Sequence, residues 1–214
     1  MASYRGHLMF SSALGAAYGG AAVWYWHFDW GPAFLAAGLT TLGGLLPDLD
    51  SDSGVPVREL FGVAAAVVPI LLYHRLRDAG LSVEQTLVIL AGVYVLIRYG
   101  ISALFKRFTV HRGMFHSIPA LLISGMATYL LYHSPDLVLR CYVAGGVMLG
   151  FLSHLVLDEI YSVDFMGDRL RLKKTAGSAL KFASPSLRAT AATYLVLLAL
   201  CGLAWWDWRQ TGGP

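Results

Sequence analysis

Charge is scarce in this chain. Asp, Glu, Lys and Arg together make up 14% of its 214 residues, where an ordinary soluble domain carries roughly 25%. With 57% hydrophobic residues and a mean hydropathy of +0.59, a water-exposed globule is excluded and a membrane protein expected. Cysteine is nearly absent. Cys141 and Cys201 each lie within an apolar run and lack metal-ligand spacing, which excludes a zinc knuckle and places both in the core. Net charge is only +3, and its basic residues sit between apolar runs and not along an arm or polar helix, so nucleic acid is excluded as a partner. The chain has no HExxH metalloprotease signature, no GxSxG nucleophile elbow and no phosphate-binding Walker loop. Internal repeats and low-complexity segments are missing too.

What the chain does have is long apolar runs. They cover residues 8–27, 33–46, 60–74, 85–105, 118–133, 137–157 and 187–206, separated by breakers such as "DWGP" and "PDLDSDSGVP". A bilayer crossing needs about 20 residues, so the expected fold is an all-α polytopic transmembrane bundle with about six to seven membrane helices. It forms a single integral-membrane domain over 1–214, with the polar basic segment 159–186 at the membrane surface. The first run is longer than a signal-peptide core and ends in Trp and Tyr, which predicts a retained helix. The second, third and fifth runs are short, which predicts tilt, local thinning or partial insertion. Gly15 with Gly19, and Gly146 with Gly150, stand four apart and would let helix backbones approach closely. Arg98 lies deep in the fourth run, where either a functional role or snorkelling to the surface would account for it.

If the chain crosses at every run, one face receives eleven Lys and Arg against four on the other, Arg75, Arg77, Arg140 and Arg209, which makes the first face cytoplasmic by the positive-inside rule. The chemistry-bearing residues sort to that same face. His7 opens the first run, Asp48, Asp50 and Asp52 follow the second, His111 and His116 precede the fifth, and His154 and Asp158 close the sixth. His154 and Asp158, four apart on a helix, project from one side. The proline and alternating carboxylates of "LPDLDSD" can turn two acids towards one point, and the glycine in "HRGMFHS" permits a bend between its histidines. Each piece alone has a plainer explanation as a cap, an interfacial residue or a solvated loop. Together they predict a divalent-metal site with ligands His7, Asp48, Asp50, His111, His116, His154 and Asp158, for zinc foremost and otherwise manganese or iron. The ligands outnumber what one catalytic ion takes, so one or two ions are expected.

These motifs, "LLPDLDSD", "HRGMFHS" and "GFLSHLVLDEIYSVD" followed by "KKTAGSALKFAS", closely resemble the YdjM-like family of bacterial inner-membrane, metal-dependent hydrolases, over about His7 to Ser184. The resemblance implies a helical protein of the bacterial inner membrane with a divalent-metal site and hydrolytic activity. It puts the motif positions at the same seven residues and names no substrate.

Metal-assisted hydrolysis follows from such a site, because a divalent ion acidifies water and polarises phosphoryl or carbonyl oxygen. Asp52 or Glu159 is the candidate general base, or orients a ligand histidine, with capping and solvation as the plainer roles. Arg112, Lys173, Lys174, Ser178 and Lys181 are candidates for holding an anionic group, or form a basic segment drawn to anionic lipid. Both put lipid phosphate nearby. The expected substrate is a phosphoester of a membrane lipid or lipid-linked molecule. The alternatives are a divalent-cation transporter or channel and a membrane scaffold with a structural metal.

Overall fold

The computed structural model describes residues 3–50, 54–103, 114–166, 169–172 and 180–210; for 49–50, 54–59, 163–166 and 169–172 the description is of the backbone. The elements in chain order are α1 Tyr4–Tyr25, α2 Trp30–Gly43, a 3-10 turn Leu46–Asp50, α3 Gly54–Asp78 and α4 Val83–Val95, prolonged by a π-helical turn Leu96–Ile101. There follow α5 Ile118–Leu131, α6 Leu137–Ile160, strands β1 Val163–Met166 and β2 Arg169–Leu172, and α7 Leu187–Gln210. The chain is an α-helical membrane bundle. Four of its described helical segments are long and apolar enough to cross a bilayer: Leu60–Asp78, Val83–Ile101, Leu137–Ile160 and Leu187–Gln210. α1 has the length, at 22 residues, but is less apolar. α2 and α5 have 14 residues each, about 21 Å at 1.5 Å per residue, short of a ~30 Å hydrocarbon core.

Two expectations are corrected at this level. The third apolar run looked short because its polar first turns hide a helix of 25 residues. The polar segment after α6 holds an antiparallel hairpin, pairing Val163 with Leu172 and Met166 with Arg169. Strand alternation over four residues is too brief a signal to separate from a loop.

Lipid tails are as apolar as leucine, so apolar burial contributes little to holding these helices together; close backbone packing and polar contacts do more. α2 is the centre of that packing, wedged between α1 and α6. The buried positions of α1 are His7, Ser11, Gly15, Gly19 and Ala22, a small-residue stripe that lets α2 come close. A Cβ added at Gly19 would lie 2.8 Å from the Ala33 carbonyl oxygen, and one at Gly146 would lie 2.9 Å from the Thr40 hydroxyl. Gly15 and Gly150 press on the Ala37 and Thr40 carbonyls in the same way. Both glycine pairs therefore do what their spacing predicts. Farther along, Tyr18 and Tyr142 stack with ring centroids 4.5 Å apart, and each hydroxyl donates to the other's carbonyl, at 2.9 and 3.1 Å.

The outer helices are tied differently. Asp207 is the buried residue of α7. It accepts from Arg75 of α3 at 2.8 Å and from Arg140 of α6 at 2.5 Å. The Arg140 guanidinium also donates to the Tyr129 carbonyl at 3.2 Å and lies 4.0 Å from the centre of that residue's ring. Arg140 is only 1% exposed. Counting it as a loop cation misreads it: its positive charge is the buried member of an ion triad with Asp207 and the partly exposed Arg75. Arg98 falls in the π-helical turn, half-buried, with its guanidinium carbon beside Gly62 of α3. Cys141 is exposed and Cys201 partly so. Neither belongs to the core, because a lipid-facing side is as apolar as a buried one.

Candidate metal centre

Four chain segments converge at one end of the bundle. His7 stands one turn into α1, Asp48 lies in the turn that follows α2, His116 immediately precedes α5, and His154 and Asp158 occupy the last two turns of α6. His7, His116, His154 and Asp158 are buried, at 3%, 8%, 0% and 4% exposure, and Asp48 is half-buried. His7 Nε2 is 3.2 Å from Asp158 Oδ1, and His116 Nε2 is 3.7 Å from Asp158 Oδ2. His154 Nε2 faces two carboxylates, Asp48 Oδ1 at 3.7 Å and Asp158 Oδ2 at 3.7 Å. The His7 and His154 rings stack at 3.6 Å, and His116 meets His154 edge-on at 5.4 Å.

Each side chain is held there by local structure. Ser3 caps α1 by accepting from the Gly6 amide at 3.2 Å, which sets the first turn that carries His7. Ser117 caps α5, accepting from the Ala120 amide at 3.3 Å and donating to the Met114 carbonyl at 2.5 Å, so the loop bearing His116 is pinned on both sides. The end of α2 leaves carbonyls without helical partners. One of them, Gly44 O, lies 2.7 Å from His154 Nδ1.

That last contact fixes the chemistry of the site. A carbonyl only accepts, so His154 Nδ1 carries a proton, and in the neutral ring, the form that ligates a metal, Nε2 presents a bare lone pair. This nitrogen is fully buried, makes no hydrogen bond, and is aimed at two carboxylates. A lone pair facing negative oxygens in a buried pocket is repulsive unless a proton or a metal cation lies between them. The separations suit one: ligand atoms about 2.1 Å from a tetrahedral ion are about 3.4 Å apart, close to the 3.7 Å found here. One potential ligand atom from each of His7, His154 and Asp158 falls within 4.8 Å of the others, and the same holds for Asp48, His116 and His154. Burial raises the Asp48 carboxyl above its ordinary value; His7 opposes this and Asp158 adds to it. The donor set of imidazoles and carboxylates fits a divalent cation of the zinc, manganese or iron kind.

Of the seven residues expected as ligands, His7, Asp48, His116, His154 and Asp158 are brought together. Asp50 is described by its backbone only, in the same 3-10 turn as Asp48. His111, Asp52, Arg112, Lys173, Lys174 and Ser178 lie outside the described residues. Glu159 follows Asp158 on α6, about 100° further round the helix, and is not in either potential ligand group. Lys181 reaches the site through its backbone: its carbonyl accepts from the Ile118 amide at 3.1 Å, and it bridges Ser117, next to His116. The carbonyl of Gly44 was missed. Its signal was a glycine at a helix end one helical turn before Asp48, which marks exposed C-terminal carbonyls. At the opposite end, His133 Nε2 lies 3.3 Å from Asp78 Oδ2.

A family model described as YdjM inner membrane protein matches residues 1–170. Neither the curated proteins nor the solved structures gave a match.

Proposed function

The chain belongs to the YdjM inner membrane protein family, and on that premise we propose that its His/Asp cluster holds a divalent metal ion and that the protein is a membrane-embedded metal-dependent hydrolase. The substrate class we assign is a phosphoester of a membrane lipid or lipid-linked molecule. We read the helices as a multi-pass bundle whose cluster faces the cytoplasm, with zinc as the first choice of ion.

The observation that carries this reading is the buried, unbonded Nε2 of His154 between two carboxylates. A nitrogen lone pair serves one ion, and Nδ1 is committed to Gly44. The described residues therefore favour a single ion held by His154 and Asp158 with His7, His116 and Asp48 around it. A divalent ion in such a site supplies acidified water and electrophilic polarisation of a phosphoryl oxygen. The protein's own groups set the stage: Gly44 holds the His154 ring in one tautomer and one orientation, as second-shell partners of ligand histidines do. Asp158, touched by three imidazoles, offers both oxygens to the centre. Lys181, whose backbone is tied to the entry of α5 beside His116, lies at the same end, where a cation would draw an anionic headgroup. All five described residues lie at helix ends, which supports a surface-facing hydrolase over a transporter, whose transit site sits near the midplane.

The test is elemental analysis of detergent-purified protein, wild type beside His154→Ala and Asp158→Ala, with hydrolysis of phosphatidic acid measured on the same samples. The expected result is about one divalent ion per chain in the wild type, and loss of both metal and turnover in the variants with the helical content unchanged. A wild type that binds none of added zinc, manganese or iron would sink the reading. Metal that is bound but whose removal unfolds the protein, with no turnover on any lipid phosphoester, would make it a scaffold.

A further inference from the structure

Beside the cluster lies an apolar cavity of about 420 Å³, walled by Leu46, Phe115, Ile123, Phe151, Ala192 and Val196. Its size is that of a small-molecule site. Its lining is hydrocarbon in character, and the two hydroxyls it includes are already committed. Ser124 donates to the Leu121 carbonyl at 2.7 Å, and Thr193 to the Ala189 carbonyl at 2.9 Å, each within its own helix. A polar guest would lose its water and find no partner, a cost a hydrocarbon does not meet.

The cavity and the cluster share their walls. Leu46 stands two residues before Asp48 in the 3-10 turn, Phe115 immediately precedes His116, and Phe151 lies three before His154 on α6, so that the pair share a side of the helix. The outer wall is α7. Val196, which lines the cavity, is 48% exposed, and Asp207 is the one buried residue of α7, so the outer side of this helix meets lipid in a bilayer. The space thus runs from the hydrocarbon of the membrane to the neighbourhood of the metal ligands.

We propose that this cavity takes up one hydrocarbon chain of a membrane lipid, entering sideways past α7, so that the headgroup is presented to the His/Asp cluster. The proposal rests on the reading of that cluster as a centre acting on lipid phosphoesters. It adds that the chain, and not the headgroup alone, selects the substrate, and that the lipid is drawn from the bilayer without passing through water.

The experiment uses the full-length protein in phosphatidylcholine vesicles containing a palmitoyl phosphatidic acid that bears a diazirine at the chain end. After illumination, the labelled residues are mapped by mass spectrometry, and zinc per chain is measured on the same preparation. Labelling at Ile123, Phe151 and Ala192 is expected to exceed that at Leu87 and Val88, which face outward on α4, by about tenfold, equivalent to ~1.4 kcal/mol of preference. Ala192→Trp, and independently Ile123→Trp from the facing helix, should bring the cavity signal down to the α4 level with zinc per chain unchanged. Uniform labelling of cavity and α4 positions in the wild type overturns the proposal, even with zinc bound and the hydrolase reading intact. Cavity labelling in a wild type that binds no metal leaves the chain site standing and removes the hydrolase.

Discussion

Gly150→Ala tests whether the metal centre depends on the contact of α6 with the end of α2. The new methyl has nowhere to go. It would be driven into the Thr40 carbonyl and would sit 2.9 Å from the Gly44 nitrogen, both backbone atoms that cannot rotate aside. α6 must back away from α2, and the motion separates His154 from the Gly44 carbonyl now 2.7 Å from its Nδ1. Overpacking of this kind costs about 1–3 kcal/mol, and replacing a helical glycine by alanine returns up to about 1 kcal/mol. The expected net loss is about 1–2 kcal/mol of stability. Misplacing His154 by a comparable energy lowers zinc affinity by about tenfold. Gly38→Ala is the matched control: it lies on α2, the helix that Gly150 presses on, with nothing within 4 Å of an added Cβ, so it should be neutral or slightly stabilising and leave zinc affinity alone. Unfolding in detergent and zinc competition against a chelator measure both quantities. If Gly150→Ala matched Gly38→Ala in both, the argument that backbone contact positions the centre would be refuted.

The other predictions concern the outer tie and the loop before α5. Asp207→Asn leaves two guanidinium groups, one of them fully buried, without their carboxylate. It should cost about 3–5 kcal/mol, read as a lowered unfolding midpoint in detergent, and a midpoint equal to wild type would show that α7 is not held by the triad. Ser117→Ala removes the α5 cap and should cost about 1 kcal/mol. Because the same hydroxyl pins the loop carrying His116, zinc affinity should fall as well, and a stability loss without any change in zinc binding would separate His116 from the centre.

Much of the arrangement was legible in the chain, for identifiable reasons. Helix positions followed from runs of apolar residues, which a bilayer imposes, and the end of the bundle carrying the chemistry followed from counting crossings. The glycine pairs were readable because a four-residue spacing puts them on one side of a helix. Lipid-facing and core positions could not be told apart, since both are apolar, and Cys141 shows the result. Arg140 was misread because a cation at a helix start looks the same whether it points to water or to an aspartate far along the chain. The ion triad joins residues 75, 140 and 207, and no local pattern announces such a contact. His154 was identifiable as a candidate ligand, but its tautomer was not, for that depends on a carbonyl 110 positions away.

The part of the chain matched by the family, residues 1–170, contains every described member of the His/Asp cluster and stops short of α7. The helix that lines the apolar cavity on its outer side is thus outside the matched stretch, and its buried residue, Asp207, ties its far end to Arg75 and Arg140. On the proposed reading, metal binding and choice of lipid chain are then separable properties of this architecture. Exchanging α7 while keeping Asp207 is expected to change which chains the cavity accepts without changing metal per chain.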